Sequence, residues 1–487
     1  MGSSSAPLPP VEMFFFPFVG GGHQIPMVDI ARVFAAHGAS STILAAPSSA
    51  PVFQRSIDGD QKSGRTIRVH TFQLHEDAVS LDTDTSAAPS TDTSALLEPL
   101  RELLIERKPN CIVVDSFHRW SAEVIDATGV LRIVFNGNGC FSRCSFEMLD
   151  AHKPHEGLDS EYEPFVIPGL PHKIEMTRSQ LPHFHKAPPD GGNQPSGHRR
   201  GRPNNNHFGV VVNSFYDLEP QYVDCFRNVM GNRAWLVGPV SLFNRNVEDK
   251  AVRGKASSVD EQTCLDWLDA KGPGSVLYVS FGSLARLSSR QLHELAHGLE
   301  ASGQNFVWVI GKVSGSEGNG EISADGDWLP DGFEERMGET EQGLLIRGWA
   351  PQLLILEHPS VGGFMTHCGW NSTLEGVSSG LPMVTFPISA EQFFNEKFIV
   401  DVLGIGVKSG SVEWSSWSWR NEVIEPVGRE KVEAAVRKLM GGGVEAEEMR
   451  RKAKEVKEMA RRAINQGGTS YADADSLIRE LQNRNGD

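Results

Sequence analysis

The sequence predicts an α/β protein built of doubly wound βα units in two successive series. Three observations lead there. Short apolar runs alternate with segments of helical period along most of the chain. Some runs, 111–114 among them, are apolar at every position, as strands buried on both faces of a parallel sheet are. The alternation stops over the charged stretch 246–260 and then resumes. At roughly 100–200 residues per domain, 487 residues suffice for two to four domains, each able to bury a core without staples.

The first series opens with the phenylalanine-rich run 11–18 and the turn Gly20-Gly21-Gly22. Met27, Ile30, Ala31 and Phe34 then recur at helical spacing, with Pro26 suited to a first helical turn. This is a strand, a glycine loop and a helix. Further strands are expected at 41–45, 67–72, 111–114, 132–135 and 209–212, and a helix at 96–107. The second series begins with a strand at 275–281 and a helix at 290–299, followed by strands at 306–310, 344–346, 363–366 and 383–386. Helices at 430–440, 445–464 and 471–483 close the chain. The expected organisation is therefore one domain over 1–245, a linker over 246–260, a second domain over 261–465 and a terminal helix within 466–487. Two polar stretches, 82–94 and 188–206, read as surface loops, and Arg199, Arg200 and Arg202 in the latter as solvated charges.

Composition narrows the function. Hydrophobic residues make up 39% and charged residues 22%, which fits a folded protein rather than a disordered or fibrous one. Lys and Arg total 46 against 62 Asp and Glu, for a net charge of −16. Such a surface repels phosphate backbones, so nucleic acid is not an expected partner. A small phosphorylated ligand held at a helix N-terminus stays possible. The six cysteines are scattered without a C-x-x-C, neither a disulfide framework nor a zinc set. No basic region precedes 13–18, Ala6 spoils a myristoylation pattern, and no run reaches the ~18 apolar residues of a membrane span. A cytoplasmic protein with no stable membrane insertion is expected.

Three places carry chemistry. Gly20-Gly21-Gly22-His23 lies between strand and helix, where open α/β sheets bind ligands. Ile25 breaks the G-x-G-x-x-G spacing, which disfavours a nicotinamide dehydrogenase. His23 can be a general base or a helix cap, and the pattern does not decide. Asp115 ends the strand 111–114; it can orient an imidazole, as in a His–Asp pair, or cap the helix carrying Trp120 and Ile125. The third place is 349–392. It begins Trp349-Ala350-Pro351-Gln352, continues Thr366-His367-Cys368-Gly369-Trp370-Asn371-Ser372-Thr373-Leu374-Glu375-Gly376 and ends Glu391-Gln392. At 367–373 a strand turns into a helix, so backbone N–H groups, an imidazole, an amide and a hydroxyl converge where a diphosphate fits.

This third segment resembles the signature box of the plant UDP-dependent glycosyltransferases that modify secondary metabolites. Trp349, His367, Trp370, Asn371, Ser372, Glu375, Glu391 and Gln392 stand at the box's spacing. The resemblance covers nearly the whole chain: Gly22-His23 matches the family's base, Asp115 its partner, Phe281-Gly282-Ser283 a phosphate-side strand end and Gly467-Gly468-Thr469-Ser470 a C-terminal turn. It implies a GT-B fold, two Rossmann-like domains facing across a cleft. The N-terminal domain would take the acceptor and the C-terminal domain the UDP-sugar, and the last helix would cross back to the first domain.

The resemblance also assigns roles. Trp349 would stack on uracil, with Ala350 and Gln352 near the base, and Glu375 would accept the ribose hydroxyls. Ser283, His367, Asn371 and Ser372 would contact the diphosphate, and Trp370, Glu391 and Gln392 would face the sugar. Gln392 fits glucose. Asn138-Gly139-Cys140 departs from the family's threonine or serine near the fourth strand, so no contact to the sugar's outer hydroxyl is assigned there. The implied reaction is inverting transfer of glucose from UDP-glucose, a co-substrate, to a hydroxyl of a small lipophilic metabolite such as a triterpenoid or flavonoid. His23 would be the base, with no metal, no further cofactor, and a monomeric enzyme. Another UDP-sugar, C-glycosylation, or donor binding without catalysis are the alternatives. No role follows for Trp414, Trp417 and Trp419.

Overall fold

Both series of apolar runs become parallel sheets, and the two sheets share one strand order. A computed structural model describes residues 10–73, 91–186, 206–254, 257–258, 261–311, 313–314, 328–415 and 424–484. Most of the loop expected at 82–94, nearly all of that at 188–206 with its three arginines, and Trp417 and Trp419 lie outside these residues.

The first sheet comprises β1 (Glu12–Phe16), β2 (Ser40–Ala45), β3 (Ile67–Thr71), β4 (Cys111–Asp115), β5 (Leu131–Phe135), β6 (Gly209–Val212) and β7 (Ala234–Leu236) in the order β3-β2-β1-β4-β5-β6-β7. The second comprises β8 (Val276–Ser280), β9 (Asn305–Ile310), β10 (Gly343–Arg347), β11 (Val361–Thr366), β12 (Met383–Thr385) and β13 (Gly406–Lys408) in the order β10-β9-β8-β11-β12-β13. The second is the 3-2-1-4-5-6 winding and the first is the same winding with a seventh strand at its edge, and each reverses direction beside its first strand. That reversal falls between β1 and β4 in one sheet and between β8 and β11 in the other, and it opens a crevice at the strands' carboxyl ends. β7 and β13, with three residues each, lie outside the strands expected from the sequence.

Strand alternation explains the core. Phe14 and Phe16 of β1 face Ile112, Val114 and the leucines 96, 100, 103 and 104 on one side of the sheet. Met13 and Phe15 face the other side, against Met27, Ile30 and Phe34 of α1 (Gly21–Ala36). Each such side chain, fully buried, is worth about 1.5–3 kcal/mol. An apolar seam joins the two halves: Phe141 lies 4.9 Å from Phe398, and Phe146 lies 4.5 Å from Phe394, between ring centroids. The terminal helix, Thr469–Arg484, returns to the first sheet. Its Ala474, Leu477 and Leu481 join the α1 core, and Asp473 accepts bonds from Arg227 (2.7 Å) and the Leu236 N–H (2.8 Å).

The stretch 246–260, expected to be a linker, holds a short helix, Val247–Ala251. Asn246 caps it by accepting the Asp249 N–H at 2.7 Å. The helix lacks a buried face, which is why no hydrophobic period announced it.

Candidate active site

The first crevice is built by β1, β4 and the start of α1. Gly20 stands at the N-cap of α1, and its carbonyl accepts the N–H groups of His23 and Gln24, both at 2.9 Å. His23 therefore sits in the first helical turn, at the end of β1. On the neighbouring strand Asp115 closes β4, fully buried. Its Oδ2 lies 2.7 Å from His23 Nδ1, and its Oδ1 accepts the Phe117 N–H at 2.9 Å. The helix after it, Ser121–Thr128, has no side-chain cap. Asp115 thus braces the turn before that helix with one oxygen and holds His23 with the other. Phe117 packs on the His23 ring at 4.5 Å, and a Cβ on Gly137 would come within 3.4 Å of it. Burial works against the His23 cation, but Asp115, through charge and hydrogen bond, and the nearby charge of Glu391 outweigh it and raise the pKa above 6.5.

The second crevice is built by β8, β11 and α2 (Trp370–Ser379). After β8 the chain turns at Gly282, with φ +75°, and after β11 at Cys368 and Gly369. A Cβ on Gly282 would lie 2.7 Å from the His367 ring, and one on Gly369 2.4 Å from it. Glycine at both positions lets the imidazole slot between the two strand ends, and the half-buried Ser283 follows Gly282 in the chain. Burial lowers the His367 pKa to about 4, so the ring is neutral, and its Nδ1 is a buried polar atom with no partner among the described residues.

Around this turn the candidate donor residues fall into three groups. Ala350 is buried, and the Gln352 amide does not point freely at a base. Its nitrogen donates to Glu375 at 2.5 Å, and its oxygen accepts from the Tyr278 hydroxyl at 3.2 Å. Ser372 Oγ is 3.5 Å from the same amide nitrogen. Asn371 Nδ2 donates to the Gly22 carbonyl at 2.6 Å, tying the start of α2 to the start of α1. Trp370 turns its backbone N–H to Glu391, while its indole points elsewhere. Its side chain is buried in the seam, 6.1 Å from Phe398, with Nε1 donating to the Asn213 carbonyl at 2.7 Å. Gly139 allows this, since a Cβ there would lie 2.5 Å from the indole. The third group follows β12. Burial raises the Glu391 pKa, opposed by His23 and by bonds from the Trp370 N–H and Asn395. Gln392 is buried, and its Oε1 accepts the N–H groups of Ile388 and Ser389, both at 2.9 Å, so only its amide nitrogen remains for a ligand.

Sequence reasoning missed four contributors. Trp414 is buried and donates to the Ala390 carbonyl at 3.0 Å, propping the loop that presents Glu391. His118 bonds the Pro17 carbonyl (3.0 Å) and Thr93 (2.9 Å) while stacking on Phe16, which anchors the approach to His23. Glu219 receives the N–H groups of Cys140 and Phe141, at 3.0 and 2.6 Å, and the Ser214 hydroxyl; burial raises its pKa to about 6. Arg253, from the stretch expected to be a linker, bridges Asp29 and Glu375. Only the Trp414 cluster was visible as a signal; the others are single polar residues, most of whose partners lie far off in sequence.

Residues 238–425 match the family described as UDP-glucoronosyl and UDP-glucosyl transferase. An abscisate beta-glucosyltransferase of Phaseolus angularis is 56% identical over 98% of this chain and 98% of its own. The chain belongs to this transferase family. A scopoletin glucosyltransferase of Nicotiana tabacum is 42% identical over 97% of this chain and 98% of its own. The transferase superposes on the crystal structure of Glycyrrhiza uralensis UGT73P12 complexed with glycyrrhetinic acid 3-O-monoglucuronide with a TM-score of 0.88, at 39% identity, over 98% of this chain and 96% of that one. Its two sheets are the halves of a GT-B fold, and it is a UDP-glycosyltransferase enzyme. No helix among the described residues is long and apolar enough to cross a membrane.

Proposed function

We propose that this transferase moves glucose from UDP-glucose to a hydroxyl of a small lipophilic plant metabolite, with inversion. The first half would receive the acceptor and the second half the donor. The observation that carries the reading is the 2.7 Å bond between His23 Nδ1 and Asp115, which leaves Nε2 for the acceptor. Nε2 takes the hydroxyl proton as the oxygen forms its bond to the anomeric carbon. The bond from that carbon to the diphosphate oxygen breaks, and UDP leaves with the electron pair. Asp115 keeps the proton of the resting ring on Nδ1 and stabilises the imidazolium. Charge growing on the diphosphate is met by the N-terminal N–H groups of α2, the Ser283 hydroxyl and neutral His367. Attack opposite the leaving group turns an α-linked donor into a β-glucoside. Trp349 and Glu375 hold the nucleoside in this reading, and Glu391 and the Gln392 amide the sugar.

The test is a panel of flavonoid, triterpenoid, coumarin and abscisate acceptors with UDP-glucose, UDP-galactose, UDP-xylose and UDP-glucuronic acid. Mass spectrometry gives the product and NMR its anomeric configuration. A β-glucoside formed fastest from UDP-glucose is expected; an α-product, or preference for another sugar, overturns the assignment.

The likeness to an abscisate glucosyltransferase favours a second acceptor class, the carboxylate. A carboxylate is already ionised at neutral pH and needs no base. Ester formation that survives His23→Ala, while hydroxyl transfer does not, would identify it.

A further inference from the structure

Arg253 lies on the connection between the halves, just past the helix Val247–Ala251, yet its side chain is only 10% exposed. Its Nε meets Asp29 Oδ2 at 2.8 Å and its Nη1 meets Glu375 Oε1 at 2.6 Å. Asp29 belongs to α1, the helix that begins with the proposed base, and Glu375 belongs to α2, the helix that begins at the proposed phosphate site. The two helices are already tied at their tips by Asn371 and the Gly22 carbonyl, so Arg253 makes a second tie further along both. Its strap is held against the nucleoside side of the crevice. Gly254, at φ +92°, approaches the Trp349 ring so closely that a Cβ would lie 2.5 Å away. Ser258 exchanges backbone and hydroxyl bonds with the Trp349 main chain, both at 2.8 Å.

The same bond constrains Glu375. One carboxylate oxygen accepts from Arg253 and the other from Gln352. An ionised carboxylate offers about four lone-pair sites, so two stay open in a fixed direction. Only a planar guanidinium reaches two carboxylates along separate edges; an ammonium is a point charge on a flexible stem.

We propose that Arg253 is a positioning residue for the donor: it holds Glu375 aimed at the ribose hydroxyls and locks the base helix to the donor helix. This rests on the reading of Glu375 as the ribose acceptor. The experiment compares UDP-glucose with its 2′-deoxyribose and 3′-deoxyribose analogues on the wild type, Arg253→Met and Arg253→Lys, with thermal melts as a folding control. A lost bond to a charged acceptor should cost the wild type about tenfold in kcat/KM with at least one deoxy donor. Arg253→Met should raise KM for UDP-glucose about tenfold, and its discrimination against the deoxy donors should largely vanish. Arg253→Lys should recover little of either and carries the same test if the methionine variant does not fold. Undiminished discrimination with an unchanged KM in the folded variant overturns the positioning role alone. A wild type indifferent to both ribose hydroxyls overturns the reading of Glu375, and the proposal with it.

Discussion

The two crevices occupy the same topological position in sheets of the same winding, but they are made differently. In the proposed reading, the chemistry between β1 and β4 reduces to one imidazole and one carboxylate, 92 residues apart and joined by a single bond. Between β8 and β11 it is spread over a nearly continuous segment in which each residue adds a modest share. A site that moves a proton depends wholly on one atom having the right charge and tautomer. A site that binds distributes its energy, and it tolerates losing any one part. Substitutions in the first crevice should therefore stop turnover and spare donor affinity, and those in the second should erode donor use in steps.

The largest effect is expected from His23→Ala. Loss of a general base should lower turnover with a hydroxyl acceptor by about 10²–10⁴-fold, while calorimetry shows UDP binding nearly unchanged. Turnover within threefold of wild type would remove the contrast between the crevices.

Asp115→Asn should come next, at about a hundredfold in kcat. The Phe117 N–H needs an acceptor, so the asparagine oxygen stays there and its NH2 group turns to His23. Nδ1 must then accept, the ring proton moves to Nε2, and the nitrogen facing the acceptor can no longer take a proton. Wild-type melting with collapsed kcat is the expected pair of results. Loss of the fold instead would make the turn the residue's main task.

That double duty shows what was legible in the sequence and what was not. The strand–glycine–helix unit around His23 could be read because Met27, Ile30, Ala31 and Phe34 repeat at helical spacing, and the strand of Asp115 because it is apolar throughout. The distance between them could not, since period carries no information across 92 residues. The donor segment was legible because its unusual residues are neighbours in sequence. Their individual directions were not: Trp370 turns into the seam because Gly139 and Phe398 make room for it, and Gln352 turns to Glu375. Arg253 was lost for a third reason, because a lone arginine in a polar stretch looks the same whether solvated or bridging two buried carboxylates.

Glu391, proposed to hold the sugar, also raises the His23 pKa through its charge, which allows two sharper tests. Glu391→Ala should lose at least about tenfold in kcat/KM for UDP-glucose, as removing a charged acceptor costs roughly 1.5–3 kcal/mol, with UDP affinity nearly intact. Equal weakening of UDP and UDP-glucose would make it a brace for α2 through the Trp370 N–H. Glu391→Gln tests charge alone. The proposed base works when neutral, and Asp115 and Glu391 together hold its pKa above 6.5 despite burial. Activity should accordingly fall as pH drops through that raised value. With the Glu391 charge gone the His23 pKa falls, so the acid limb of kcat/KM moves to lower pH. An unmoved limb would mean that His23 does not sense the donor side.

The smallest effect, and the finest probe of a distributed site, is expected from Gln392→His. The Gln392 oxygen is not free to read sugar, because it accepts two backbone N–H groups of the loop ahead of Glu391. Its amide nitrogen remains as a donor to a sugar hydroxyl. A neutral imidazole has one acceptor nitrogen and cannot replace a carbonyl oxygen that receives two bonds. At about 0.5–1.5 kcal/mol per hydrogen bond, the variant should melt slightly lower and lose some activity with every donor. Any shift between UDP-glucose and UDP-galactose should stay below about tenfold, because one pocket contact discriminates similar substrates weakly. Kinetics with both donors and a thermal melt on the same protein decide between the two uses of the side chain. Full reversal of preference at unchanged melting temperature would mean that Gln392 reads the sugar alone and that the loop needs no brace from it.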